Sequence, residues 1–389
     1  MIIGGWLLIF GALLGLGLFV VVNPLLTWLI STLHPLRHRP ADTPGLSVSL
    51  VIVVHNGREL IGSKLDNALA LDVPPGGLEI IVHSDGSGDG TEEIVAAYAD
   101  RGVKLSSSPQ HRGKSHGLNT AASLATGDIL VFSDVDALLA PDALTRLLSW
   151  FVSDRVGGVC GRRVVPGEAG AFEAAQAGYV GLDSRLKAGE SRLGTLTSND
   201  GKLYALRSGL FPEIPGPVTD DLYAALAVVS LGHLFLFDAE ARARVAVPSR
   251  SPGVELKRRR RIVSTSLNAI ACHRALLNPA RYGFYSLRLL LNKVVRRLMP
   301  VFLLMLLAGS ALAAAQSAVA ALLLAGQIAC MILAASFPLV SFRSGVFARV
   351  AGAAFYFYVG NLGMLWGLVD FVLGNLPKRW SPDKGGATQ

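Results

Sequence analysis

Residues 129–139 read ILVFSDVDALL, and this stretch decides the fold. The apolar run from Ile129 to Phe132 has the length of a buried strand, and Asp134 and Asp136 follow just past its C-terminal end. In an open parallel sheet that edge is where ligands bind. Two carboxylates one residue apart suit a hard divalent cation, which usually also takes phosphate oxygens. Asp-x-Asp alone is common in loops. Its weight comes from company: a second acidic strand end, Asp85, precedes it, and a third acidic pair, Asp220 and Asp221, follows it.

Outward from this stretch, strands alternate with helices. Residues 47–54 form an apolar strand ending in His55-Asn56-Gly57, and the next segment places Leu60, Ile61, Leu65, Ala68 and Leu69 on one helical face. Residues 78–90, LEIIVHSDGSGDG, read as a second strand opening into a Gly-rich turn, with Thr91, Glu92 and Glu93 starting a helix. A short strand at 103–108, a loop at 109–117, a helix around 118–124 and a helix after Pro141 complete the alternation. The pattern predicts a parallel sheet with helices on both faces. Past Val165 it fades, as a subregion covering the sheet edge would.

The chain has 389 residues, of which 51% are hydrophobic and only 16% charged, with a mean hydropathy of +0.46. Soluble domains carry about 25% charged residues. Residues 1–30, 298–315, 318–340 and 350–373 are nearly uncharged, each near the ~20 residues of a spanning helix. The expected organisation is an anchor at 1–33, an α/β domain at 34–263, helices at 264–297, three spans within 298–375 and a polar tail at 376–389. Within 264–297, Leu287, Leu290, Leu291, Val294 and Leu298 share one face and Arg288, Asn292 and Arg296 the opposite one. That predicts a helix lying in the membrane interface; a helix packed on protein is the alternative.

The N-terminus lacks the positive leader and cleavage site of a signal peptide. His34, Arg37, His38 and Arg39 follow the first apolar run, so the positive-inside rule puts the α/β domain in the cytoplasm of a multi-pass inner-membrane protein. Arg343 and Arg349 then also fall inside, while Lys378 and Arg379 run against the rule. The net charge is +8. Its basic residues cluster beside the apolar segments, which points to anionic headgroups rather than nucleic acid. Cys160, Cys272 and Cys330 form no pattern for disulfides or zinc.

The ordered series VSLVIVVHN, HSDGSGDGT, RGKSHGLNTA, SDVDALLAPDAL, GGVCG, TDD and KRRRRI resembles the family-2 inverting glycosyltransferases of the GT-A fold. The likeness spans roughly residues 47–300, with most kinship to the bacterial membrane-anchored branch that includes cellulose, hyaluronan and poly-N-acetylglucosamine synthases. It implies an α/β GT-A domain with a Rossmann-like, mostly parallel sheet joined to transmembrane helices. It also implies a nucleotide-sugar donor and a saccharide acceptor of a cell-surface glycan or exopolysaccharide, with a lipid acceptor (a glycolipid or polyprenyl phosphate) as the alternative. A protein that binds nucleotide sugar without turnover is the rival from another class.

Carried over residue by residue, the resemblance gives Asp85 the nucleotide base, with Gly86 letting backbone approach the ligand. Lys114 meets the diphosphate as a point charge. Asp134 lies on the ribose and diphosphate side, and Asp136 on Mg²⁺ or Mn²⁺. Asp221 becomes the general base and Asp220 its neighbour, although Thr219 or Asp220 would equally serve as a helix cap. Arg258 and Arg261 match the arginine motif that grips diphosphate with forked hydrogen bonds, while the rest of the basic run touches lipid. Asp200, Gly201 and Arg207 fall on the acceptor side. Ile262 stands where many synthases carry Trp, which removes a stacking platform for repeated transfer unless Trp150, Tyr204 or another aromatic residue substitutes.

Overall fold

The structure, a computed structural model, describes residues 2–34, 39–165, 171–245, 252–340 and 345–377. Arg37, His38, Arg343, Lys378 and Arg379, used above for orientation, lie outside the described residues, as does nearly all of the polar tail.

Strands β1 (Val48–Val54), β2 (Leu78–Asp85), β3 (Val103–Ser108), β4 (Ile129–Phe132), β5 (Ala137–Leu139), β6 (Val156–Val164), β7 (Tyr204–Arg207) and β8 (Leu234–Val245) form one sheet in the order 3-2-1-4-7-6-8-5. β3, β2, β1 and β4 run parallel, as the alternation predicts. β7 then enters beside β4 in the opposite sense, pairing Phe132 with Tyr204 and Ile129 with Arg207. The sheet is therefore mixed. Nothing in a four-residue strand encodes its direction, which is set by where the connecting chain returns.

β1 shows why these residues make a two-sided layer. Successive side chains point to opposite faces. Leu50, Ile52 and Val54 pack with Ile61, Leu65 and Leu147, whereas Val51 and Val53 pack with Leu118, Leu130 and Ala121. A strand covered on both sides has to be apolar throughout. The chain leaves β1 toward β2 and β3 on one side, then returns to β4 on the other. That reversal opens a crevice at the C-terminal strand ends, where Asp85 and Asp134 lie.

Among the described residues, four helices are long and apolar enough to cross a membrane: Ile3–Thr32, Phe284–Ala313, Ala318–Val340 and Val346–Val372. The first two cross at small residues. A Cβ on Gly309 would lie 2.6 Å from the Gly5 carbonyl oxygen, so only glycine permits this approach between apolar helices.

The stripe of Arg288 and Asn292 does not face an open interface. Both are buried. Arg288 Nη1 donates to Thr195 O at 3.1 Å, and Asn292 Nδ2 donates to Glu190 Oε1 and Thr197 Oγ1. Arg296 sits over the Phe19 ring. Groups that find carbonyls, acids and rings inside the protein need no headgroups, so the protein-packed alternative describes this stripe. Upstream, one helix, Pro252–Cys272, runs across the 263/264 boundary expected from the sequence.

Candidate active site

Three elements meet at the crevice: the end of β4 and the first turns of helices Lys114–Leu124 and Asp220–Ser230. Lys114 Nζ lies 2.8 Å from Asp134 Oδ1 and 2.9 Å from Asp220 Oδ2, and so ties the strand end to the acidic helix. Lys202 Nζ lies 3.0 Å from Asp134 Oδ2 and 2.6 and 2.8 Å from the two oxygens of Asp136. Helix capping does not account for the acids. Thr219 Oγ1 is bonded to Thr265 Oγ1 at 2.7 Å, and no side chain caps the helix.

The charges are strongly coupled. Burial works against the Asp134 charge, but Lys114 and Lys202 outweigh it and hold this carboxyl well below the usual range. The same ion pairs outweigh burial at Lys114 and Lys202 and keep both ammonium groups charged. Asp221 differs. Burial, followed by the negative charge of Asp220, pushes it up to about 6, the direction expected for a desolvated acid beside another. Its Oδ1 accepts the Leu222 N–H at 2.7 Å. A Cβ on Gly201 would lie 3.7 Å from its Oδ2, so the glycine lines the space before that oxygen.

Asp200 adjoins this group, 3.3 Å from Arg163 Nε and 3.9 Å from Lys187 Nζ. Arg261 faces the same acids: burial lowers its pKa, and Asp220, Asp134 and Asp221 each oppose that. Arg258 is held bidentately by Glu255 at 2.8 and 3.1 Å. The arginines between them, expected to touch lipid, have protein partners. Arg259 bonds Glu255 and the Tyr356 hydroxyl, and Arg260 forks onto Asp370, so both fasten this helix to the last apolar one.

Two of the expected site residues, Arg207 and Asp85, have partners outside the cluster. Arg207 lies level with Ile129, three residues back from the acidic end, about 10 Å at 3.3 Å per residue. It donates instead to the carbonyls of Val156, Phe151 and Ser153. Asp85 does end β2, but its carboxylate is fully buried. It accepts the N–H groups of Arg112 and Gly113 at 2.8 and 2.7 Å and has His111 Nδ1 at 2.8 Å. It thus folds the loop that delivers Lys114. Gly86, at φ +67°, admits that same loop: a Cβ there would lie 2.4 Å from His111 N.

Lys64 and Lys202 were not singled out from sequence. Lys64 is fully buried, donates to Ser133 Oγ at 2.7 Å and to Ala137 O, and is lowered to about 7 by burial, partly offset by Asp134 and Asp136. Its signal was visible: it interrupts the apolar face of Ile61, Leu65 and Ala68. Lys202 carried none, since its relation to Asp136 depends on β7 pairing with β4.

The donor chemistry fits a divalent cation. Carboxylate oxygens of Asp134 and Asp136 converge on one cationic group, the Lys202 ammonium, and oxygens at a strand end are the donors that hard cations take. The cavity here is about 10 Å³, room for roughly one water. A ligand therefore has to displace some of the side chains that line it, Lys114 among them. His83, Asp85 and His116 also gather within 4.8 Å, but both His83 ring nitrogens are engaged by Ser106 and Ser108.

A parallel sheet with acids at its switch point, extended by β7 and followed by apolar helices, is the architecture of a GT-A glycosyltransferase joined to candidate membrane spans. Residues 49–205 match the model of glycosyl transferase family 2, and the chain carries a family 2 glycosyltransferase domain. A mannosyltransferase from Pyrobaculum calidifontis, solved in complex with GDP-Man and Mn²⁺, has the same fold: TM-score 0.71, 24% identity, 94% of this chain and 99% of that one. The β-monoglucosyldiacylglycerol synthase of Trichormus variabilis is 31% identical over 30% of this chain and 26% of its own length. The poly-β-1,6-N-acetyl-D-glucosamine synthase of Staphylococcus epidermidis is 23% identical over 51% and 48%. The matched region thus spans about a quarter to a half of these curated relatives.

Proposed function

We propose that this chain is a membrane-bound, metal-dependent, inverting glycosyltransferase that moves a sugar from a nucleotide donor to a hydroxyl at the cytoplasmic face of the membrane. The observation that carries it is the pairing of environments at one site. Asp134 is held ionised by two lysines, whereas Asp221, one residue past its partner Asp220, is pushed up to about 6. Acids driven apart in this way suit different tasks: charge neutralisation at one and proton transfer at the other.

Asp221 Oδ2 takes the acceptor hydroxyl proton, and the oxygen attacks the anomeric carbon from the face opposite the leaving diphosphate. One displacement inverts the configuration, and the proton rests on Asp221. Lys114 and Arg261 meet the departing phosphates, and Arg258 joins them by leaving Glu255. A bound Mg²⁺ or Mn²⁺, held by Asp136 and Asp134, would supply Lewis-acid neutralisation of the diphosphate. The Mn²⁺ in the mannosyltransferase supports this reading. Cation binding and withdrawal of Lys202 from Asp136 go together, since its ammonium occupies the oxygens the cation would take.

A lipid acceptor is favoured by one feature over a saccharide chain. The helix carrying Arg261 packs on the last apolar helix so closely that a Cβ on Gly363 would lie 2.7 Å from Leu256 O. The site thus stands beside a surface that lipid would cover. Purified protein supplied with a panel of nucleotide sugars tests the proposal by nucleoside diphosphate release and by NMR of the product anomer. Release with one donor, an inverted linkage, and loss of both in EDTA and in Asp136→Asn are expected. Binding of a nucleotide sugar with no release in native membranes would favour the non-catalytic rival. A retained anomer would reject the single displacement.

A further inference from the structure

A second cavity lies away from the acids. About 620 Å³ in volume, it lies between the end of the first apolar helix, the long helix Ala171–Arg192 and the Asp238 turn of β8. Trp28 and Trp150 form two of its walls, and Arg39, Arg146, Arg185 and Arg192 line it. Two acids also line it, and both are occupied. Asp238 accepts the Trp150 Nε1–H at 2.8 Å and two backbone N–H groups, and Glu240 pairs with Arg242. Arg146 is taken by Asp142. Among the described residues, Arg39, Arg185 and Arg192 have no carboxylate partner, and Arg192 Nε is buried with no hydrogen bond.

We propose that this cavity is a binding site for the phosphate headgroup of an anionic phospholipid, separate from the acceptor site. Three observations converge on that class. The positive charge is unbalanced and comes from arginines, whose forked donors match phosphate oxygens. The level is right as well. The cavity spans residues 24–31, about 10 Å of helix, where the first uncharged run gives way to basic residues. Trp28, 62% exposed, belongs to the residue type that settles at headgroup depth. Apolar surface then continues outward, with Leu25 and Leu29 exposed on the same helix and Leu182 one turn before Arg185. A free phosphate would use the arginines alone; a phospholipid uses both surfaces.

The site also touches the chemistry at one remove. The helix that presents Arg185 and Arg192 carries Lys187 and Asp183 on another face, and Lys187 Nζ is 2.9 Å from Asp183 and 3.9 Å from Asp200. Filling the cavity therefore braces the helix that supports the acceptor side of the cluster.

Native mass spectrometry of the full chain, with equimolar phosphatidylglycerol and phosphatidylcholine, tests the site. The wild type is expected to retain one phosphatidylglycerol, at least about tenfold over phosphatidylcholine, with its mass unchanged after incubation with donor. Arg185→Gln with Arg192→Gln should abolish that preference. Ala188→Trp, which fills the cavity and keeps every arginine, should abolish it too. Inorganic phosphate and glycerol phosphate should not displace the lipid at concentrations that leave its acyl contacts intact. Equal retention of both lipids, or a preference that survives either variant, overturns the proposal. Displacement by inorganic phosphate makes the site a plain anion pocket, and a sugar-bearing retained lipid makes it the acceptor site; both also overturn it.

Discussion

Asp220 and Asp221 adjoin in sequence, yet their surroundings assign them different work. Asp220 faces Lys114, while Asp221 turns to the space beside Gly201. Asp221→Asn should lower turnover at least about a hundredfold, the ordinary contribution of a general base. Donor affinity, measured by calorimetry, should stay within about twofold. Asp220→Asn frees Lys114 and should weaken donor binding more than turnover. The reverse pattern would mean that the base is Asp220. Turnover should also fall as pH drops through about 6, because Asp221 has to be ionised to accept the proton. The stability sign is opposite. Its pKa is raised above the unfolded value near 4, so its favourable contribution is complete below that value and is lost as pH rises through about 6. Asp221→Asn, a mimic of the protonated form, should therefore melt higher than wild type at pH 8 and show no such gain at pH 4. A constant difference in Tm across that range would mean that Asp221 does not titrate as described.

Helices rather than strands make the connection between chemistry and membrane. Helix Pro252–Cys272 holds Arg261 toward the acids and, on its other side, lies against helix Val346–Val372. Two glycines allow the approach: a Cβ on Gly367 would lie 2.5 Å from Arg260 O, and one on Gly363 would lie 2.8 Å from Arg259 Cβ. Arg260 on Asp370 locks the pair in register. Gly363→Leu and Gly367→Leu should each destabilise by about 1–3 kcal/mol, as overpacking does, and should raise the donor KM by tilting Arg261. Thermal melting in detergent and donor kinetics check this; a Gly367→Leu enzyme with unchanged Tm and KM would remove the coupling. This contact was half legible. The basic run 257–261 was evident, but its division between phosphate, Glu255 and the last span depends on a pairing of helices about a hundred residues apart.

For the whole molecule, the remaining question is how many sugars are added to one acceptor. Ile262 offers no ring face, and Tyr204 and Trp150, two candidates to replace it, are buried. Tyr204 is 1% exposed and stacks on Phe132, and Trp150 is 8% exposed and bonded to Asp238 at the other cavity. With no ring at these three positions free to grip sugar faces irrespective of register, products should be single additions or short ladders. Sizing products from purified enzyme with excess donor checks this, and a long polymer would sink it.

Features that repeat along the chain or stand at an element's end are legible without a structure. Two-sided burial of β1 shows as an unbroken apolar run, the four long helices show as apolar stretches although the second begins at Phe284 and takes in Arg288, Lys293, Arg296 and Arg297, and Asp134, Asp136, Asp220 and Asp221 show as acids where a strand stops or a helix starts. Strand direction and distant pairing are fixed only in the folded chain. β7 running antiparallel carries Arg207 away from the acids and brings Lys202 onto them, by the same reversal. Asp85 spends its oxygens on a loop 27 residues on, and Arg288 and Asn292 turn inward to Thr195 and Glu190. The physical reason is common to all of these. Periodicity records how much of a residue is buried, whereas the partner of a buried charge is fixed by elements far apart in the chain that only folding brings together.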